Sequence, residues 1–200
     1  MSFCKKADGM DTFTDERDKE PYRVVRIGKQ EWMAENLRYK CDGVVSGESD
    51  PKRYGLLYFL QDFVDLAPAG WRVPSLKDWT ELICNVGGAR ADNIADDVVY
   101  AIAGKVLKAE CDWDFDDDFL CGYTPDEKAD PFHFSALPTG FVKDYELLEQ
   151  GKTASFWVAD ETGLWVKRVV LYNFTNNAHI ESRRDMESFA CSIRCVRDVG

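Results

Sequence analysis

"APAGWRVPSLKDWTEL", residues 67–82, sets two prolines, a glycine and two tryptophans side by side. The stretch reads either as a ligand-binding patch or as the joint through which a helix enters a core. Its spacing favours the joint. Ser75 followed by Asp78 forms a capping box, in which each side chain satisfies a backbone N–H of the other's turn. Leu76, Trp79, Leu82 and Ile83 then fall on one helical face, and Gly87-Gly88 ends the run. Trp71, just after Gly70, anchors the entering chain.

Upstream, "YRVVRIGKQEWMAENL" (22–37) places β-branched residues before a Gly-containing turn and an aromatic restart, which predicts a β-hairpin. "CDGVVSGESDPKR" (41–53) reads as a loop. In "YGLLYFLQDFVDLAP" (54–68), Leu56, Leu60, Phe63 and Val64 have helical spacing and Pro68 stops them. Downstream, Ile94, Val98 and Ile102 in "NIADDVVYAIAGKVLK" (93–108) predict a third helix, broken near Gly104. "CDWDFDDDFLCGYTPDEKADPF" (111–132) is a long acidic loop. After it come the short β-rich runs "FHFSALPTGFV", "ASFWVAD", "LWVKRVVLYNF" and "FACSIRCVRDV". Helices in the first half and antiparallel strands in the second predict an α+β fold. Residues 1–20 read as a flexible N-terminal arm and 21–200 as one domain.

The chain has 200 residues, 45% of them hydrophobic and 13% aromatic, enough for a sizeable core. Its 36 acidic and 25 basic residues give a net charge of -11. That surface repels phosphate backbones and anionic lipids and argues against nucleic-acid partners. No run approaches the roughly 20 apolar residues of a membrane span. The first residues lack an apolar stretch of the signal-peptide kind, so a cytoplasmic location follows if Met1 is the native start.

Seven cysteines stand at 4, 41, 84, 111, 121, 191 and 195 without a C-x-x-C pair, and only two histidines accompany them, which is poor support for structural zinc. Cys191 and Cys195 lie about 13 Å apart if the chain is extended, too far to bridge each other.

In order along the chain, "DTFTDERDKEPYRVVRIGKQEWMAENL", "YGLLYFLQDF", "PAGWRVPSLKDWTEL", "AGKVLK", "FSALPTGF", "SFWVAD" and "CSIRCVRD" resemble the blocks of the Fibrobacter succinogenes major paralogous domain, over residues 11–198. The resemblance implies a C-type lectin-like domain, distantly similar to formylglycine-generating enzymes. Such a domain has two or three helices, small antiparallel sheets, long loops, and first and last strands paired. It also implies a cell-surface or secreted location where a leader precedes the domain. Family members commonly carry Cys where this chain has Ala67. If that Cys pairs with the closing one, Cys195 here lacks its partner. "FWVADE" (156–161) likewise replaces a hydroxyl-bearing "FWSSTE".

The calcium-dependent sugar site of lectins uses E-P-N or Q-P-D with W-N-D, and none of these tripeptides occurs. In "DWDFDDDF" (112–119), Asp112, Asp114, Asp116 and Asp118 offer oxygens suited to a weak Ca²⁺ site, yet the pattern lacks the Gly and Glu of an EF-hand loop, and a solvated acidic loop is the plainer reading. The C-x-x-x-C of Cys191 and Cys195 does not match the oxidase spacing, and a buried Cys behaves as a small hydrophobe. His133 and His179 stand near no nucleophile elbow. Asn173-Phe174-Thr175 matches a glycosylation acceptor by chance. Of the six tryptophans, four fall inside the blocks above, leaving Trp113 and Trp165 as candidates for exposure. With Tyr123, Asn173, Asn176 and Asn177 they compose a polar-aromatic ligand surface. The reading that follows is a binding or interaction module without evident catalysis, taking carbohydrate or protein through loops at 109–131 and 160–185. An enzyme of the oxidase branch, or a structural surface protein, is the alternative.

Overall fold

The structure, a computed structural model, describes residues 11–41, 44–45, 50–62, 66–94, 97–114, 130–159, 166–184 and 186–200. Strands dominate them. A small sheet joins β1 (Asp11–Thr14), β2 (Pro21–Ile27), β3 (Gln30–Met33) and β14 (Val196–Asp198), in the order β1-β2-β3-β14. β2 and β3 are the hairpin expected from residues 22–37, with Ile27 opposite Gln30 and Gly28 at φ +64° in the turn. Only glycine reaches that conformation without a steric cost. β14 closes on β3, Val196 opposite Trp32, so the last strand joins the second arm of the hairpin. Residues 11–14, read from sequence as part of the arm, form β1 and pair with 21–24.

The large sheet has ten strands. They are β4 (Val44–Val45), β5 (Leu57–Phe59), β6 (Ala89–Ile94), β7 (Asp97–Ala101), β8 (Phe141–Lys143), β9 (Glu146–Leu148), β10 (Thr153–Val158), β11 (Val166–Tyr172), β12 (Ala178–Arg183) and β13 (Phe189–Ser192). The path runs β4-β5-β13-β10-β11-β12-β7-β6, with β8 also on β13 and β9 on β8. The helices are short: α1 (Pro51–Tyr54), α2 (Leu76–Asn85) and α3 (Ala103–Leu107). Among the described residues no helix is long and apolar enough to cross a membrane.

The α+β, C-type lectin-like expectation is therefore corrected: the described residues are mostly β, with two sheets and three short helices among them. Two segments account for the difference. Leu57, Tyr58 and Phe59 are each buried and form strand β5 between β4 and β13, followed by a 3-10 turn over 60–62. A strand covered on both faces shows a continuous apolar run, which spacing alone does not separate from a helix. β6 and β7 pair antiparallel, and Val98, Val99 and Tyr100 pair in turn with β12. Among the described residues of the predicted third helix, only 103–107 are helical.

The opening stretch is the joint its spacing predicts. Ser75 Oγ accepts from Asp78 N at 3.2 Å, and Ser75 N donates to Asp78 Oδ2 at 2.9 Å. Burial alone would raise the Asp78 carboxyl, but Arg72, at 2.6 Å, and the Ser75 donors outweigh it and hold the group below 3.8. Arg72 also pairs with Asp198 and exchanges backbone hydrogen bonds with Val196, fastening the helix entry to the closing strand.

Alternation along β2 and β3 feeds two cores. Val25, Ile27 and Trp32 face one with Trp79, Leu82, Phe134, Phe156 and Val169. Tyr22, Val24 and Met33 face the other with Trp71, Trp157, Cys191 and Cys195. In the first, Trp32–Trp79 (4.8 Å), Trp79–Phe156 (5.4 Å) and Trp32–Phe134 (5.7 Å) form a continuous ring cluster. The four tryptophans of the sequence blocks are all buried.

Arg194 caps this cluster while 1% exposed, its guanidinium 4.4 Å over Phe134 and 5.4 Å over Phe156. Its Nε and Nη2 donate to Asn36 Oδ1, at 3.1 and 2.9 Å. Nη1 donates to Phe134 O, and Nη2 to Ser135 O at 3.2 Å. Burial disfavours its charge, and the Asp130 carboxylate offsets part of that. Replacing it with methionine would strand the buried acceptors of Asn36 and Phe134 and the part-buried carbonyl of Ser135. Arg194→Met should therefore cost about 3–5 kcal/mol in urea unfolding, with Arg194→Lys failing to restore it because a single ammonium cannot span the three sites.

Candidate binding surface at the turn between β11 and β12

β10, β11 and β12 bury one face in the first core, and their other face, from which Trp157 enters the second core, carries a row of mostly buried polar side chains. Phe156, Val169, Leu171 and Ile180 point inward, so their neighbours Ser155, Arg168, Tyr172, His179 and Glu181 share the opposite face. Arg168 and Glu181 are direct cross-strand partners. Arg168 Nε and Nη2 reach Glu181 Oε2 at 3.0 and 2.9 Å, and Nη1 reaches Ser155 Oγ at 3.5 Å. Phe141 and Phe189 cover the guanidinium at 4.7 and 5.5 Å. Glu181 Oε1 accepts from the Tyr172 hydroxyl. Burial, then this carboxylate, pushes the Tyr172 phenol upward, so it stays a donor. Arg183 continues the chain to Asp97 at 2.8 and 3.1 Å. These charges are spent on one another; their product is a fixed position for Tyr172.

Tyr172 opens the turn between β11 and β12. Phe174 stacks on it, centroids 5.1 Å apart and planes 25° apart, and remains 51% exposed. His179 meets Tyr172 edge-on at 5.3 Å, and its buried Nε2 makes no hydrogen bond. Burial, with Lys108 nearby, lowers the pKa of this imidazole from its ordinary value.

The turn is held from below. Lys108 is 2% exposed; its Nζ donates to Tyr172 O at 2.5 Å and to Thr175 O at 2.7 Å, and lies 4.9 Å over the Trp113 ring. Asn173 Nδ2 donates to Asp114 O, and Lys105 N to Asn176 O at 3.0 Å. A Cβ on Gly104 would stand 2.2 Å from Asn177 O, so the close approach of α3 to the turn requires glycine there.

The sequence-derived site residues are thus dispersed in role. Trp113, expected at the surface, is 7% exposed and donates to Ala136 O at 3.2 Å. Its flat face supports Lys108, and this interior role corrects the expectation of exposure. Asn173, Asn176 and Asn177 do lie together in the turn, half-buried and partly used to brace it. Tyr123, Trp165, Asp116 and Asp118 lie outside the described residues. Asp112 is ion-paired with Arg53, both contacts at 2.7 Å, which commits one proposed cation ligand elsewhere, while Asp114 is exposed. Among the described residues no group of three or more His, Cys, Asp or Glu is arranged to hold a metal. Cys191 and Cys195 are buried free thiols, both pushed up by burial, Cys195 to about 12, which disfavours the thiolate. Cys195 shares its apolar cluster with Ala67. Cys111 is disulfide-bonded.

Sequence reading missed Lys108, Tyr172, Phe174 and Glu181. The usable signal was "LYNFTNN" (171–177), where aromatic residues alternate into a cluster of turn-formers.

Burial lowers the Lys108 amine from 10.5 to about 7. Between those values the unfolded chain binds a proton that the native state does not, so this group makes stability rise with pH across that window and adds no slope below it. Unfolding free energies measured from pH 7 to 10.5 should rise less steeply in Lys108→Met than in the parent; identical slopes would contradict the placement.

Neither the curated proteins nor the solved structures provide a match. Residues 25–197 match the family described as the Fibrobacter succinogenes major domain, from the β2–β3 hairpin through the closing strand. The chain belongs to the Fibrobacter succinogenes major domain family.

Proposed function

We propose that the protein is a binding module that holds an uncharged carbohydrate on the Tyr172–Phe174 platform. The observation that carries this reading is the half-exposed Phe174 ring, stacked on a tyrosine whose position is fixed by Glu181 and Lys108. Pyranose rings stack their C–H faces on aromatic planes, and their hydroxyls need nearby donors and acceptors. The half-buried Asn173, Asn176 and Asn177 of the same turn supply amide groups of this kind. Preorganisation reduces the entropy lost on binding. The net charge of -11 disfavours anionic glycans and leaves neutral ones unaffected.

Titration with a panel of neutral cell-wall oligosaccharides, read by calorimetry and amide chemical shifts, tests this. Binding should perturb residues 172–179, and Phe174→Ala should weaken it about tenfold, as loss of one stacking contact implies. Because Phe174 is half exposed, the same variant should retain the parent Tm. Absence of binding across the panel, or binding untouched by Phe174→Ala, would sink the proposal.

A further inference from the structure

A second aromatic surface lies at the turn between β8 and β9. Lys143 pairs with Glu146, which leaves a two-residue turn of Asp144 and Tyr145. Both have positive φ, +51° and +67°. Such turns select Asn-Gly, because a side chain at the second position meets the backbone. A tyrosine there is the more strained choice, and burial does not explain it, since Tyr145 is 85% exposed. Its ring lies 5.8 Å from Phe59, on the face of the sheet that carries Val142 and Ala190, while Phe189 and Phe141 stack at 5.7 Å on the opposite face. The backbone N–H of Asp144 donates to Ser188 O at 3.2 Å, which brings Glu187 beside the turn.

The exposed charges around these rings are Asp144, Glu146 and Glu187 against Lys143. On the other face of the sheet, Lys143 Nζ lies 5.6 Å over Phe189, so this exposed cation beside the turn is already placed away from the Tyr145 ring. A second copy of this chain would bring the same acidic rim and a charge of -11, so it is disfavoured as the occupant. We infer that Tyr145 is a docking anchor for a basic polypeptide segment, whose Arg or Lys side chain stacks on the exposed ring while further cations meet Asp144, Glu146 and Glu187. This surface is independent of the Phe174 platform, and either can fail alone.

The test uses the full chain labelled with ¹⁵N and a capped Arg-Gly repeat peptide at physiological ionic strength, where diffuse attraction is screened. Amide shifts should concentrate on residues 141–148 and 187–189. Tyr145→Gly should weaken the peptide on the order of fivefold, as loss of one exposed cation–π contact implies, and Tyr145→Phe should keep most of the affinity. Because glycine relaxes the turn, Tyr145→Gly should also raise Tm by about 2 °C, the opposite of what a structural tyrosine would give. Shifts spread over the acidic surface, affinity unchanged in Tyr145→Gly, or a lowered Tm would each overturn the inference. Concentration-dependent shifts of the same amides without peptide would identify a second copy as the occupant and overturn it as well.

Discussion

A single buried guanidinium holds the distant parts of this fold in register. Arg194 has three acceptors on two distant segments, at Asn36 and at Phe134 and Ser135, and the planar fork of arginine reaches them together while its face rests on aromatic rings. From there the connection runs outward through the backbone. Ala136 N donates to Leu107 O and Ala136 O accepts from Ala109 N, each at 2.9 Å, and Ala136 O also receives the Trp113 indole. Between those two residues Lys108 reaches out to Tyr172 O and Thr175 O. The surface turn that carries Phe174 is therefore tied, bond by bond, to the centre of the molecule. Low-dielectric surroundings strengthen each of these bonds and make each orphaned partner expensive.

How far the sequence revealed this differs by element. The capping box at Ser75 and Asp78 was legible because its chemistry is local, two side chains and two N–H groups within one turn. The hairpin at 22–33 was legible because glycine and alternation coincide there. The large sheet was not, since β5 and β7 draw their stability from strands far along the chain, and apolar runs such as Leu56–Leu60 fit either period. Those two segments turned an expected α+β architecture into a mostly β one. The site failed for a related reason. Trp113 looked free because it fell outside the recognisable blocks, yet its burial comes from Lys108 and Ala136, contacts that only the fold creates. Asn173, Asn176 and Asn177 were visible as turn-formers, but the aromatic residue between them that carries exposed area was passed over.

Charge is distributed in a way that suits recognition. Across β11, β12 and β7, Arg168, Glu181, Arg183 and Asp97 neutralise one another and act as scaffold. Among the described residues the large apolar side chains left exposed are Ile102, Tyr145 and Phe174, each on a turn or at the start of a helix. Ile102 and Tyr145 also have positive φ, so exposure and backbone strain coincide at two of the three. Rigid strands presenting aromatic tips on tight turns are a geometry for holding a ligand in place.

The dependence of that surface on Arg194 is open to direct measurement by native-state hydrogen exchange of the unmodified protein. The amides to follow are Leu37, which donates to Ile193 O beside Arg194, and Ala136 and Ala109, which lead to Lys108. If these segments form one cooperative unit, the three amides should share a single opening free energy and respond to denaturant with the same slope. Exchange of Ala109 and Ala136 through an opening that leaves Leu37 protected would contradict the account.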